Sequence, residues 1–199
     1  MTASVLARRR NYHVGNVRGQ LLAAARELLE AQGIEALSLR AIAERAGVAP
    51  GTVYYHYADK SALMAGLAVD GFKQLTEAMR GAYARRGEVG GLRSTGDAFL
   101  DFLREKPALY QLMYEARDAG RRQEVAEAEA EAFEVSRAAI MADYASIFPE
   151  DVARKVAEAI WAWGRGIAAV SLVRGASPQV GEEAVRSAVM GLEALIMRR

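Results

Sequence analysis

The sequence has 199 residues, 52% of them hydrophobic and 26% charged, with a formal net charge of +1. This is the composition of a globular protein rather than a disordered chain, and the length suits one large domain or two small ones. The chain has no cysteine, which excludes disulfides, thiolate catalysis and cysteine-bound zinc. It also lacks a signal-peptide pattern and the roughly 18-residue apolar run of a membrane span, so we expect a soluble cytoplasmic protein without metal or cofactor.

The charge is unevenly distributed along the chain. Residues 1–62 hold eight Lys/Arg and five Asp/Glu, a balance of +3, whereas residues 63–199 hold 18 and 20, a balance of −2. A basic segment ahead of a slightly acidic body indicates a localised site for a polyanion.

The predicted elements are helices throughout, because apolar residues recur at intervals of three and four and strand-like alternation is missing. In chain order, we expect three helices near residues 16–32, 38–45 and 50–57. Asp59 then caps a long helix that ends near residue 85. Proline and glycine delimit five more helices, near residues 92–105, 107–117, 121–147, 150–174 and 178–198. The pattern predicts an all-α, nine-helix protein.

Residues 38–57 have the spacing of a helix-turn-helix. Ala43 supplies the small side chain that lets two short helices cross closely, Gly47 allows the positive φ of the turn, and Val53 fills the corner. Pro50 suits the first position of the next helix, because its φ is already helical and its missing N–H is not needed there.

The outer face of the third predicted helix carries four short polar and aromatic residues: Thr52, Tyr54, Tyr55 and His56. Hydroxyl and imidazole groups bond phosphates and base edges, whereas a core helix would not place them together. This face indicates a helix that enters the major groove of DNA. The alternative is an ordinary helical hairpin with exposed tyrosines.

The stretch from Leu39 to Tyr57, followed by Asp59, Lys60 and Leu63, closely resembles the DNA-binding signature of the TetR family of bacterial regulators. The resemblance covers about residues 16–65. Ala49 departs from it, since the family often has a serine cap there. A lost cap costs about 1 kcal/mol, which Pro50 offsets in part.

By position, the resemblance implies two kinds of DNA contact. The groove contacts come from the third helix, which begins at Pro50 and presents Gly51, Thr52, Tyr54 and Tyr55. The phosphate contacts come from Arg40, His56 and Lys60. Ahead of the first helix, Arg8, Arg9 and Arg10 form either a basic arm that reaches DNA or a solvated tail.

A single helix-turn-helix reads only a few base pairs, so such proteins usually act as two-fold dimers on palindromic half-sites. The last two predicted helices carry apolar stripes with small residues between them, which suits a four-helix interface with a second copy. The predicted interface residues are Val156, Ile160, Trp163, Ile167, Val185, Val189, Leu192 and Ile196. Intramolecular core is the alternative for any one of them.

Aromatic and flexible apolar residues concentrate in the middle helices, as in the lining of a small-molecule cavity. The candidates are Phe99, Phe102, Leu103, Tyr110, Met113, Tyr114, Phe133 and Trp161. Packed core is again the alternative for each residue.

The segment Trp161–Gly166 resembles the Trp-x-x-x-His-Gly signature of one C-terminal subgroup of the TetR family, and residues 107–113 resemble a companion stretch. Arg165 stands in place of the histidine, so the role of that histidine does not carry over. Arg165 is a further ligand candidate that could pair an anionic effector, although a salt bridge to a nearby carboxylate is favoured.

These observations predict three parts: a flexible basic arm (1–15), a helix-turn-helix three-helix bundle (16–62), and a helical ligand-binding and dimerisation domain (63–199). The function they favour is a homodimeric repressor, not an enzyme and not a membrane protein. It would bind a palindromic operator in double-stranded DNA and be released by a small, mostly apolar effector. A ligand-independent regulator of the same fold, and a helical carrier or enzyme, are the alternatives.

Overall fold

The computed structural model describes residues 16–118, 123–144, 146 and 148–171. Over these residues the backbone forms α-helices and two short 3-10 turns, without a strand, so the all-α prediction is confirmed for this part of the chain. The helices are α1 (Val17–Gln32), α2 (Leu39–Ala46), α3 (Pro50–His56), α4 (Lys60–Ala84), α5 (Gly91–Glu105), α6 (Pro107–Asp118), α7 (Gln123–Tyr144) and α8 (Glu150–Ser171).

The described residues therefore hold eight helices rather than the nine that the sequence predicted. The predicted ninth helix, near residues 178–198, lies outside the described residues, as does the N-terminal stretch 1–15. Among the helices that are described, none combines the length and apolar character needed to span a membrane.

The chain divides into two compact units, Met1–Leu63 and Met64–Arg199, and the boundary falls within α4. In the first unit α2 packs against both α1 and α3. The Asn16 side chain begins α1 by accepting a hydrogen bond from the Gly19 N–H, at 3.0 Å. The buried core of this unit consists of Leu21, Ala24, Ala25, Leu28, Leu29, Leu37, Leu39, Ile42, Ala43, Val53, Tyr57 and Leu63.

In the second unit α7 packs against α5, α6 and α8. The Asp143 side chain of α7 caps α5, because its Oδ2 accepts a hydrogen bond from the Leu92 N–H at 2.8 Å. Gly91 lies so close to α7 that a Cβ there would be 2.7 Å from the Ala139 carbonyl oxygen. The α5–α7 contact thus depends on a missing side chain at the first residue of α5.

Candidate functional site

The helix-turn-helix has the geometry that its residue spacing predicted. The Ser38 hydroxyl accepts a hydrogen bond from the Ala41 N–H at 3.1 Å and begins α2. Gly47 ends α2 in the left-handed region, at φ 70° and ψ 32°. Ala43 of α2 and Val53 of α3 are buried, and the two helices pack against each other. The structural roles predicted for Ala43, Gly47 and Val53 are confirmed.

Helix α3 begins at Pro50 without a side-chain cap, since Ala49 offers no hydrogen-bond acceptor beyond its backbone. Pro50 and Gly51 are exposed and Thr52 is half-buried. The helix ends where the Tyr57 N–H donates to the Val53 carbonyl at 2.8 Å.

The two tyrosines of α3 lie on the surface. Tyr54 is 58% and Tyr55 86% exposed, while Val53 between them and the core is fully buried. His56 is half-buried and packs edge-on against the Tyr55 ring, with 5.2 Å between ring centroids. The helix is thus anchored on one side and presents large aromatic groups on the other.

The predicted phosphate contacts lie on separate elements of the same unit. Arg40 is exposed on α2, and Lys60 is exposed at the start of α4, where its Nζ donates to the Ile34 carbonyl at 3.5 Å. Arg18, which the sequence did not single out, is exposed in the first turn of α1, and its Nε donates to the Tyr57 hydroxyl at 3.4 Å. A cation in the first turn of a helix opposes the helix dipole, and this is the signal that could have drawn attention to it.

A pocket of about 570 Å³ opens between α6 and α8 in the second unit. Its volume lies in the range of small-molecule sites. It is lined by Tyr110, Gln111, Tyr114, Glu115, Ala162, Arg165, Gly166 and Ala169. Three of the predicted ligand residues, Tyr110, Tyr114 and Arg165, are therefore brought together in one pocket.

Arg165 lies between an acidic residue and an aromatic ring. Its Nη1 is 3.9 Å from Oε1 of the buried Glu129, and its Cζ is 4.7 Å from the centroid of the Tyr114 ring. The expected pairing with a nearby carboxylate is therefore present. Burial raises the pKa of the Tyr110 hydroxyl, Tyr114 and Glu129 raise it further, and Arg165 lowers it. Tyr110 is therefore a neutral hydroxyl.

The other predicted ligand residues do not line this pocket. Phe102, Leu103 and Met113 are buried in the core of the second unit, because they lie on the inward faces of α5 and α6. Met113 also fills the space beside Gly71, where a Cβ would be 2.6 Å from its sulfur.

Phe99, Phe133 and Trp161 form a half-buried aromatic cluster instead of lining the pocket. Ring centroids are 6.4 Å apart for Phe99 and Trp161, and 5.7 Å apart for Phe133 and Trp161. The sequence missed the polar and small residues of the lining: Gln111, Glu115, Ala162, Gly166 and Ala169. A search for aromatic residues could not find them, whereas their i, i+3, i+4 spacing could have.

The predicted dimer residues that are described lie on α8. Val156, Ile160 and Trp163 are half-buried in the single chain, and the neighbouring Val152 is 36% exposed. The side chain of Ile167 lies outside the described part of the chain, as do Val185, Val189, Leu192 and Ile196.

The first unit is a helix-turn-helix whose third helix is exposed, and the second is all-helical over its described residues and has an open pocket. This combination defines a helix-turn-helix DNA-binding regulator. Residues 21–67 match the family described as "Bacterial regulatory proteins, tetR family". Residues 92–195 match the "Tetracyclin repressor-like, C-terminal domain". The chain belongs to the TetR family of DNA-binding transcriptional regulators, which is not a class of enzymes.

Curated proteins match the chain over about half of its length. The transcriptional activator FasR of Mycolicibacterium smegmatis is 32% identical over 99 residues, which are 49% of this chain and 45% of FasR. The chain spans about half the length of the curated relatives it matches.

Solved structures match over nearly the whole chain. A protein with unknown function from Rhodococcus sp. RHA1 is 30% identical with a TM-score of 0.72, covering 92% of this chain and 96% of that one. The multidrug binding protein EbrR, complexed with ethidium, is 23% identical with a TM-score of 0.62, covering 87% of this chain and 96% of EbrR. At that identity the second match establishes the fold alone.

Proposed function

We propose that this protein is a homodimeric repressor that binds a palindromic operator and leaves it when a small, mostly apolar effector enters the pocket between α6 and α8. In this proposal residues 16–62 are the DNA-binding domain, preceded by the basic arm, and residues 63–199 bind the effector and the second copy. The C-terminal part belongs to the Trp-x-x-x-His-Gly subgroup, with Arg165 in place of histidine.

The observation that carries the DNA-binding part is the exposed aromatic face of α3. Tyr54 and Tyr55 are 58% and 86% exposed on a helix that Val53 anchors in the core. The burial of large exposed aromatic groups against a partner contributes favourable free energy to binding. Together with Pro50, Gly51 and Thr52 they form the face that enters the major groove.

In this proposal, exposed cations of the same unit bind phosphates. Arg40 and Lys60 are exposed, and the imidazole of His56 packs against the Tyr55 ring. The balance of eight Lys/Arg against five Asp/Glu over residues 1–62 favours a polyanion at this unit.

The pocket supports a ligand response over the ligand-independent alternative. A filled C-terminal core would leave no space for an effector, whereas about 570 Å³ is open between α6 and α8. EbrR, whose fold this chain shares, binds ethidium. An effector that prefers the conformation that DNA disfavours weakens operator binding, and the operator then weakens effector binding by the same factor. Helix α4 contains residues of both units and is the covalent route for this coupling.

The test begins with DNA fragments selected by the purified full chain and sequenced. We expect a palindrome. On that operator, Tyr54→Ala and Tyr55→Ala each weaken binding about tenfold or more, since a good base contact contributes roughly 1–3 kcal/mol. Val89→Ala is the matched control, because Val89 is an apolar residue with 57% exposure outside the first unit. If the tyrosine variants bind as tightly as Val89→Ala does, α3 is not the recognition helix.

Transcription from the selected operator decides the sign of regulation. A repressor lowers transcript yield in a purified system, and the addition of effector restores it. FasR is an activator, so the opposite result, higher yield with the protein bound, would assign this chain the role of its relative.

A further inference from the structure

The pocket between α6 and α8 has two unlike walls. Three of the four α8 residues that line it have little side-chain bulk: Ala162, Gly166 and Ala169; the fourth is Arg165. The α6 wall carries the rings of Tyr110 and Tyr114, whose centroids are 4.9 Å apart. The space between a wall of small residues and a wall of aromatic rings suits a flat ligand.

The described lining of this pocket carries one positive and one negative side chain, Arg165 and Glu115. Arg165 is the cation among the described lining residues, and its side chain is 34% exposed, against 10% for that of Glu129. The pair between them is at 3.9 Å, the outer limit for an ion pair, and a guanidinium has five N–H donors. Glu129 therefore leaves donors of Arg165 available on the pocket side.

A second donor lies beside Arg165. The Tyr110 hydroxyl is buried and lines the pocket, and its interaction with the Tyr114 hydroxyl lacks the geometry of a regular hydrogen bond. Burial holds its pKa above the usual range, so it remains a neutral O–H donor. The exposed Gln111 donates to the exposed Glu115 at 2.6 Å, and the negative charge of Glu115 disfavours a second anionic group on a ligand.

We propose that the effector is an aromatic monocarboxylate. Its carboxylate accepts hydrogen bonds from Arg165 and from the Tyr110 hydroxyl, and its ring lies between the tyrosines of α6 and the small residues of α8. This inference rests on the proposed function, of which it names the ligand class. An aromatic cation of the same size that took the place of the carboxylate would be repelled by the Arg165 guanidinium.

The test uses three probes that share a ring and differ in charge: naphthoate, naphthamide and naphthylmethylammonium. Calorimetric titration of the full chain is expected to give naphthoate an affinity at least about tenfold above that of naphthamide, with the ammonium weakest. Arg165→Gln removes the difference between naphthoate and naphthamide, and Arg165→Lys restores part of it. Arg154→Gln on the same helix is the control, since Arg154 pairs only with the exposed Glu150 among the described residues and should keep the preference.

A second variant keeps the inference testable if Arg165→Gln lowers stability. Glu129→Gln conserves the side-chain shape and removes the carboxylate behind Arg165, so the preference for naphthoate should widen. Four results would each overturn the inference. In the unaltered protein they are equal binding of naphthoate and naphthamide, a preference for the ammonium probe, and no binding of naphthoate at millimolar concentration. The fourth is a narrower preference for naphthoate in Glu129→Gln.

Operator release separates this inference from the proposed function. If naphthamide or the ammonium probe binds best and releases the operator, the effector response stands and the carboxylate assignment fails. If naphthoate binds with the expected preference but does not affect operator binding, the ligand class stands and the repressor mechanism fails.

Discussion

Gly47 and Gly51 lie four residues apart in the helix-turn-helix and have opposite backbone requirements. Gly47 has φ 70°, and a Cβ there would meet no atom within 4 Å, so the cost of Gly47→Ala is purely one of backbone conformation. We expect it to lower the free energy of unfolding by about 1–2 kcal/mol.

Gly51→Ala is the matched variant. Gly51 is a helical residue of α3 and a Cβ there also has open space, so alanine should leave stability unchanged or raise it by up to about 1 kcal/mol. Because we propose that Gly51 faces the groove, the same variant should weaken operator binding. Urea denaturation and DNA titration measure the two effects, and a similar loss of stability in both variants would contradict the role given to Gly47.

Lys60 offers a test of phosphate contact at the level of a single charge. Replacing it by glutamine should flatten the salt dependence of operator binding by about one unit of slope per protomer. Lys73→Gln is the control, since Lys73 is exposed on the same helix but belongs to the second unit. If the slope for Lys60→Gln is unchanged, Lys60 does not contact a phosphate, and its role is the hydrogen bond to the Ile34 carbonyl.

At the scale of elements, α8 has three distinct faces. Successive residues advance by about 100° around a helix, so residues with different spacings occupy different sides. The core side carries Ala153, Ala157 and Ala168, and the pocket side carries Ala162, Arg165, Gly166 and Ala169. The third side carries Val152, Val156, Ile160 and Trp163, which stay partly exposed in one chain.

The contact between α5 and α7 leads to a prediction about stability. Gly91→Ala would bring a Cβ within 2.7 Å of the Ala139 carbonyl and 2.8 Å of the Tyr83 ring. Backbone on one side and a ring on the other leave little room to adjust, so we expect a loss of about 1–3 kcal/mol in the free energy of unfolding.

Gly96→Ala is the control for this effect, because Gly96 lies in the same helix with open space around it. Alanine there should be neutral or stabilising, by up to about 1 kcal/mol. Thermal unfolding followed by circular dichroism measures both variants. A Gly91→Ala protein as stable as Gly96→Ala would mean that α5 and α7 separate at little cost.

At the scale of the whole molecule, the third face of α8 bears on the proposed dimer. A charge placed in an apolar interface is strongly unfavourable, so Trp163→Arg should shift the protein to monomers and reduce operator affinity with it. Sedimentation velocity and DNA titration test this together.

Glu158→Arg is the matched control for the dimer, since Glu158 is exposed on α8 and, at about 100° per residue, lies on a different side of the helix from Val156 and Ile160. It introduces the same side chain and should leave both the assembly and the operator affinity unchanged. A Trp163→Arg protein that sediments as the unaltered chain does would remove this face from the interface.

How much could be predicted from the sequence differs between the two units. The helix-turn-helix depends on contacts between residues that are close in sequence, such as the left-handed turn at Gly47 and the helix start at Pro50. Each is a local choice of backbone conformation, so residue type and spacing were enough to place it.

In the second unit the sequence by itself determined that the segments are helical and which of their residues are apolar. It did not determine which helical faces meet. Phe102 is aromatic and Met113 is flexible, which are the properties expected of pocket residues, yet both are buried in the core. Ala162 and Gly166, which lack these properties, line the pocket. The pairing of Arg165 with Glu129 joins two helices across 36 positions of sequence. Only the tertiary structure decided these contacts, because burial depends on the neighbouring helix and not on the residue alone.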